Sequence, residues 1–167
     1  IPSYFAKRHS FFAVVKNWTL VYTGNFLGGI MFTYLFVYLC RLSANEPYHS
    51  AIIKVAEAKV SMPWITVFLK GIGANWFVCL AVWLALSGKS LLAKMMGCWL
   101  PVMVFVALGY EHSIANMFFI PAGMFEGANV EIMQAITTSF IPATLGNIVG
   151  GAVFVGCAYY YVNRPEK

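Results

Sequence analysis

Leu108-Gly109-Tyr110-Glu111-His112-Ser113-Ile114-Ala115-Asn116-Met117 sets a carboxylate beside an imidazole inside a run that is otherwise apolar from Met95 to Phe125. Such a run is long enough to cross a bilayer, whose hydrocarbon takes about 20 apolar residues. A charge near the midplane costs about 3 kcal/mol even on the lenient insertion scale. Groups placed there therefore face a partner or a watery path, and they commonly mark an ion route. Pro101 and Gly109 help to break or bend the helix, and non-helical backbone at that depth must be buried in protein or line water. A plainer possibility is that Glu111 and His112 only tie two helices together.

Working outward, the whole chain carries the same signature. Hydrophobic residues make up 60% of it and charged residues 10%, against roughly 45–50% and about 25% in soluble domains. That leaves too little charge to coat a soluble surface, which excludes a cytosolic enzyme, a disulfide scaffold and a disordered tail. An all-α integral membrane protein is expected, one transmembrane domain over 1–167, with spans at about 17–41, 63–88, 95–125 and 132–162. The third is interrupted near Gly109–His112.

The formal charge of +5 is not a nucleic-acid footprint, because the Lys and Arg residues sit singly between apolar runs rather than clustering on one face. No nucleic-acid partner is expected. Cys40, Cys79, Cys98 and Cys157 lack metal-ligand spacing and read as small buried hydrophobes, so neither a metal nor a cofactor is expected.

Four spans put both ends on one side. That side carries Lys7, Arg8, Lys16, Lys89, Lys94, Arg164 and Lys167, whereas the other mixes Arg41, Lys54 and Lys59 with Glu46, Glu57, Glu126 and Glu131. The positive-inside rule makes both ends cytoplasmic, in a plasma (inner) membrane. The loop from Leu42 to Val60 is expected to lie on the outer surface as a short interfacial helix.

One motif recurs. Gly24-Asn25-Phe26-Leu27-Gly28-Gly29 in the first span and Gly146-Asn147-Ile148-Val149-Gly150-Gly151 in the last share the pattern G-N-apolar-apolar-G-G. Gly24, Gly28, Gly146 and Gly150 are small residues four apart that let helices approach closely. The copies lie three spans apart, and an odd offset reverses direction across the membrane, as inverted-topology repeats do. If the last three spans form one repeat, the first span closes another. Two further spans are then expected upstream of Ile1, with four of six present here.

His112 suits proton chemistry, since imidazole ordinarily titrates near physiological pH. Burial disfavours an imidazolium and a nearby anion favours it. An arriving weak-acid anion could thus be attracted, protonated and released as a neutral species that crosses apolar constrictions cheaply. Asn75 and Asn116 are neutral donors that either support such a site or hydrogen-bond between helices. Lys59 and Lys70 could focus anions electrostatically, or Lys70 could snorkel to the outer interface. Phe105 is either a gate or core.

At these residues the chain resembles the formate/nitrite transporter family. The matching strings are Lys16-Asn17-Trp18, Gly24-Asn25-Phe26, the stretch from Gly71 to Trp83, Phe105-Val106, the stretch from Gly109 to Met117, and that from Ile141 to Gly151. They cover nearly everything from Lys16 to Val162. The resemblance implies homopentamers of six-span protomers with an aquaporin-like inverted repeat and one pore per protomer. It further implies that His112 is the central pore histidine, Asn75 its polar companion and Phe105 a constriction residue. Val78 and Lys59 would line or approach the path.

The reading is a channel or transporter for a small monovalent anion, formate foremost, moving with a proton. Nitrite, hydrosulfide and lactate are the alternatives within the family. A haem-holding membrane anchor is weaker, because His9 and His49 lie in loops and leave only His112 within a span. A water channel would carry paired Asn-Pro-Ala signatures, which are absent. No Ser or Cys has a credible intramembrane base and orienter for nucleophilic chemistry.

Overall fold

The computed structural model describes residues 9–163. Lys7, Arg8, Arg164 and Lys167, which entered the charge count above, lie outside the described residues. Those residues form helices α1 (Phe11–Leu39), α2 (Tyr48–Ser61), α3 (Trp64–Ser87), α4 (Leu91–Ala107), α5 (Ser113–Phe125) and α6 (Ile132–Asn163), with no strand among them. The protein is an all-α membrane bundle. Helices α1, α3 and α6 are each long and apolar enough to cross a bilayer, while α4 and α5 are two shorter apolar halves separated by Leu108–His112.

Local chemistry sets the helix limits. Ser10 and Ser90 cap α1 and α4, each side-chain oxygen accepting from the backbone N–H three residues on, at 3.2 and 3.1 Å, which satisfies a donor that helix geometry leaves orphaned. Helices α1, α4 and α5 all end in one way. Gly109 N–H donates to Val106 O (3.0 Å) and Tyr110 N–H to Phe105 O (3.1 Å). After α5, Gly127 and Ala128 donate to Met124 and Gly123, and after α1, Arg41 and Leu42 donate to Tyr38 and Val37. This paired closure needs a left-handed residue at its centre. Gly109 and Gly127 supply it without strain at φ +63° and +98°, while Arg41 adopts φ +54° despite its Cβ. Parts of α1 and α6 widen to π turns, at Thr33–Leu39, Ala135–Phe140 and Val149–Cys157.

In lipid, an apolar face gains little by leaving one oily surface for another, so association rests on close backbone approach and hydrogen bonds. Helices α3 and α6 show this. A Cβ at Gly71 would sit 2.9 Å from Ala143 O, and Gly146 and Gly150 press on the backbone of Phe68 and Ile72. Gly123 of α5 packs on Ala56 of α2, and Gly29 of α1 on the Met117 carbonyl. The innermost cluster gathers Ala56 and Val60 with Met117, Ile120, Val130, Ala135 and Phe140.

Segment 42–60 is helical from Tyr48, and α2 buries Ala56 and Val60 against α5 and α6. The cysteines differ from their reading as buried hydrophobes. All four are unpaired, with Cys40 and Cys98 exposed and Cys79 and Cys157 half-buried in the isolated chain.

Candidate functional site

The break in the third span begins with the closure at Gly109, which stops α4 and turns the backbone. Helix α5 restarts at Ser113, with His112 as the residue before its first turn and His112 O accepting from Asn116 N–H at 2.9 Å. Glu111 and His112, adjacent in sequence, part company here. Glu111 is 3% exposed and turns toward α2, where Lys59 Nζ donates to both of its carboxylate oxygens at 3.0 and 3.1 Å. His112 sets its ring 5.8 Å from that of Phe105, centroid to centroid.

The carboxylate side is a closed knot. Asn116 Nδ2 donates to Glu111 Oε2 (2.7 Å) and to Ser139 Oγ on α6 (2.9 Å). This fixes the amide orientation, because rotating it would set Oδ1 against the carboxylate. Asn116 Oδ1 is left buried with no partner among the described residues. A doubly hydrogen-bonded ion pair is a tolerable form for charge at this depth, since each partner cancels the other's field. Lys59 is accordingly 14% exposed in its side chain and paired with Glu111. Asn116 is fully buried in the same knot, and its amide donates to Glu111 and Ser139 rather than to His112.

On the far side the backbone is bolted to α6 by one side chain. Asn147 Oδ1 accepts from both the N–H and the hydroxyl of Ser113, at 2.8 and 2.9 Å, while its Nδ2 donates to Gly71 O (2.8 Å) and Glu111 O (2.9 Å). One amide thus satisfies groups on both edges of the break and on α3. Asn75 Nδ2 donates to the Asn147 carbonyl at 2.6 Å. Asn75, Ser113, Thr144 and Asn147 are among the polar groups of a cleft of about 600 Å³ between α1, α3, α5 and α6, lined also by Trp18, Tyr22, Cys79 and Ile148 but not by His112.

Of the residues picked from sequence, Asn75 reaches this cleft, and Val78 lies half-buried one turn further along α3. His112 is half-buried, and no side chain among the described residues hydrogen-bonds its ring. Phe105 is 8% exposed. Lys70 reaches back to Met62 (Nζ to Sδ 3.7 Å), toward the start of its helix. Gly146 and Gly150 lie against the backbone of α3, whereas Gly24 and Gly28 of α1 meet nothing within 4 Å. Asn147 was missed as a site residue. Its signal was its place in the recurring hexapeptide, as a polar group in a span without charge.

A profile of the formate/nitrite transporter family matches residues 1–161. The chain is 38% identical to a probable formate transporter of Methanothermobacter thermautotrophicus, over 96% of this chain and 63% of that one. It is also 38% identical to the formate channel FocA of Escherichia coli, over 92% and 61%. Its fold matches a pentameric formate channel with formate bound, with a TM-score of 0.81 and 35% identity, over 90% of this chain and 66% of that one. The chain therefore spans less than two thirds of the length of these relatives. They are channels and transporters rather than enzymes, and this chain belongs to the formate/nitrite transporter family.

Proposed function

We propose that this protein passes formate, or a similar small monovalent anion, across a membrane, and that His112 lends a proton in transit. The observation that carries the reading is the break itself. A histidine stands at the restart of an interrupted span, with its ring against Phe105 and no side chain among the described residues bonded to it, while the neighbouring Glu111 is withdrawn into an ion pair with Lys59. That arrangement leaves the imidazole outside the ion pair at the break, next in the chain to Ser113, which with Asn75 and Asn147 lines the adjoining cleft.

An anion drawn to such an imidazole exchanges charge for a proton and continues as a neutral acid, for which an apolar constriction at Phe105 is a small barrier. The pentameric, formate-bound relative supports formate as cargo and a pentamer as the assembly. The Lys and Arg distribution supports cytoplasmic ends in a plasma membrane.

The test is labelled-formate uptake by the full polypeptide in proteoliposomes, with and without an inward proton gradient. Uptake is expected to rise with the gradient and to yield only weakly to nitrite, hydrosulfide or lactate. His112→Phe should lower gradient-driven uptake more than tenfold while the oligomer stays intact. Uptake equal to wild type in that variant removes the relay, and strong flux of a competitor without formate flux changes the substrate.

A further inference from the structure

Gly71 and Gly73 of α3 serve different neighbours. Two positions turn a helix by roughly 200°, so the two glycines look opposite ways. Gly71 admits α6, its missing Cβ leaving room for the backbone of Ala143 and Gly146. Gly73 admits a ring. The three atoms that a Cβ there would strike first all belong to Tyr110, with Cδ2 at 2.8 Å and Cζ at 2.9 Å among them. Phe77, one turn further along α3, stands 6.1 Å from Tyr110 between ring centroids, tilted at 42°. Gly73 is thus the floor, and Phe77 a wall, of a seat for the Tyr110 ring. Glycine weakens a helix relative to alanine, and here the space it leaves is filled by one side chain.

We infer that Tyr110 is a positioning residue: its ring, seated on Gly73, sets where the His112 ring stands against Phe105. Tyr110, Glu111 and His112 lie outside any helix, so a helical ladder does not fix them and contacts with neighbours must. The two ends of this segment are held separately. On the α5 side Asn147 accepts from Ser113 N–H (2.8 Å) and donates to Glu111 O (2.9 Å). On the α4 side Tyr110 N–H donates to Phe105 O (3.1 Å). Phe105 is also the residue whose ring lies 5.8 Å from that of His112. It therefore meets Tyr110 through its backbone and His112 through its ring. One backbone hydrogen bond lets a segment pivot, and a ring resting on a glycine of a second helix removes that freedom. Lys59 restrains Glu111 at the carboxylate, beyond several rotatable bonds, and so holds the backbone less firmly. The consequence for transport rests on the reading of His112 and Phe105 as groups that meet the anion, since a displacement of about 1 Å in a working group is enough to slow a reaction severely.

The test uses the full polypeptide in lipid nanodiscs with isotope-labelled histidine, read by solid-state NMR. The His112 imidazole signals are identified by their loss in His112→Phe. Gly73→Ala lifts the Tyr110 ring and should displace those signals while the other histidine signals stay in place. Tyr110→Ala empties the seat and should displace them too, which covers a Gly73→Ala protein that does not fold. Tyr110→Phe keeps the ring and should return them to the wild-type position. In a Tyr110→Ala background Gly73→Ala should add nothing, because the methyl then meets an empty seat. Formate uptake in proteoliposomes should fall about tenfold in Gly73→Ala and in Tyr110→Ala, and recover in Tyr110→Phe. Unmoved His112 signals in both single variants overturn the inference. So does a Gly73→Ala displacement that persists in full without the ring. Displaced signals with uptake equal to wild type, or with a parent protein that takes up no formate, keep Tyr110 as the residue that places His112 and remove the anion reading instead.

Discussion

Helices α4 and α5 are halves of one span and equally apolar, yet they live differently. In α4 only Pro101 and Phe105 are buried, while Leu91, Leu92, Met95 and Trp99 are exposed on the isolated chain. In α5, Ser113, Asn116, Met117, Ile120, Ala122 and Gly123 are all buried. Apolarity does not separate them. Helix α5 holds the polar and small residues that reach its neighbours, Ser113 to Asn147, Asn116 to Ser139 and Gly123 to Ala56. Helix α4 has one comparable contact, Gly97 against the backbone of Leu84. In a bilayer, position in the bundle is fixed by such anchors rather than by greasiness.

The comparison breaks first, if it breaks, at the ion pair beside α5. Lys59→Met strands Glu111, 3% exposed, and should cost about 3–5 kcal/mol in detergent-based equilibrium unfolding. Adding Glu111→Gln should recover much of that. A loss below about 1 kcal/mol for the single variant would mean that α5 is held by packing alone.

Next in size is crowding at the glycine contacts. Gly123→Ala drives a methyl into Ala56 and should destabilise by about 1–3 kcal/mol, the usual range for overpacking. Gly97→Ala needs its neighbours on α3 to give by only a few tenths of an ångström, since its Cβ would lie 3.0 Å from the Leu84 backbone. It should cost less, and equal melting shifts for the two variants would erase the distinction between the halves.

The smallest effect lies between the halves. Gly109 has φ +63° and open space around it, so Gly109→Ala isolates the conformational term of about 1–2 kcal/mol for a left-handed residue. Arg41 holds the corresponding place after α1 at φ +54°. Arg41→Gly should therefore raise the melting temperature slightly, and a fall would show that the arginine side chain contributes more than its backbone strain removes.

What could be read from sequence follows the range of the forces involved. The break was legible, because a Glu-His pair and a glycine inside an apolar run are local signals. The capped helix starts at Ser10 and Ser90 lie several residues before the expected span starts near 17 and 95, because hydropathy marks the apolar run and not the polar residue that caps it. The partner of Glu111 was not legible, since Lys59 lies 52 positions away and any of several cations would have satisfied the same local pattern. The inward contacts of α2 were hidden for a related reason. Its inward face is carried by Ala56 and Val60, while Lys54 and Glu57 make the stretch read as an interfacial helix. Asn147 stood in plain view within a repeat, but spacing alone does not say which backbone an amide will find. The π turns of α1 and α6 have no sequence signature that distinguishes them from ordinary helix.

Asn147 also bears on how the protein is made. Its amide closes hydrogen bonds to Ser113 and Glu111, which leave the ribosome well before it does. Lys59 is already in the growing chain when Glu111 appears, so the carboxylate finds its counter-ion early. The freed backbone at the break has no such early partner and waits for α6. Truncating synthesis before residue 147 should therefore leave the interrupted span inserted but unfinished, a ready target for membrane quality control until the last helix arrives.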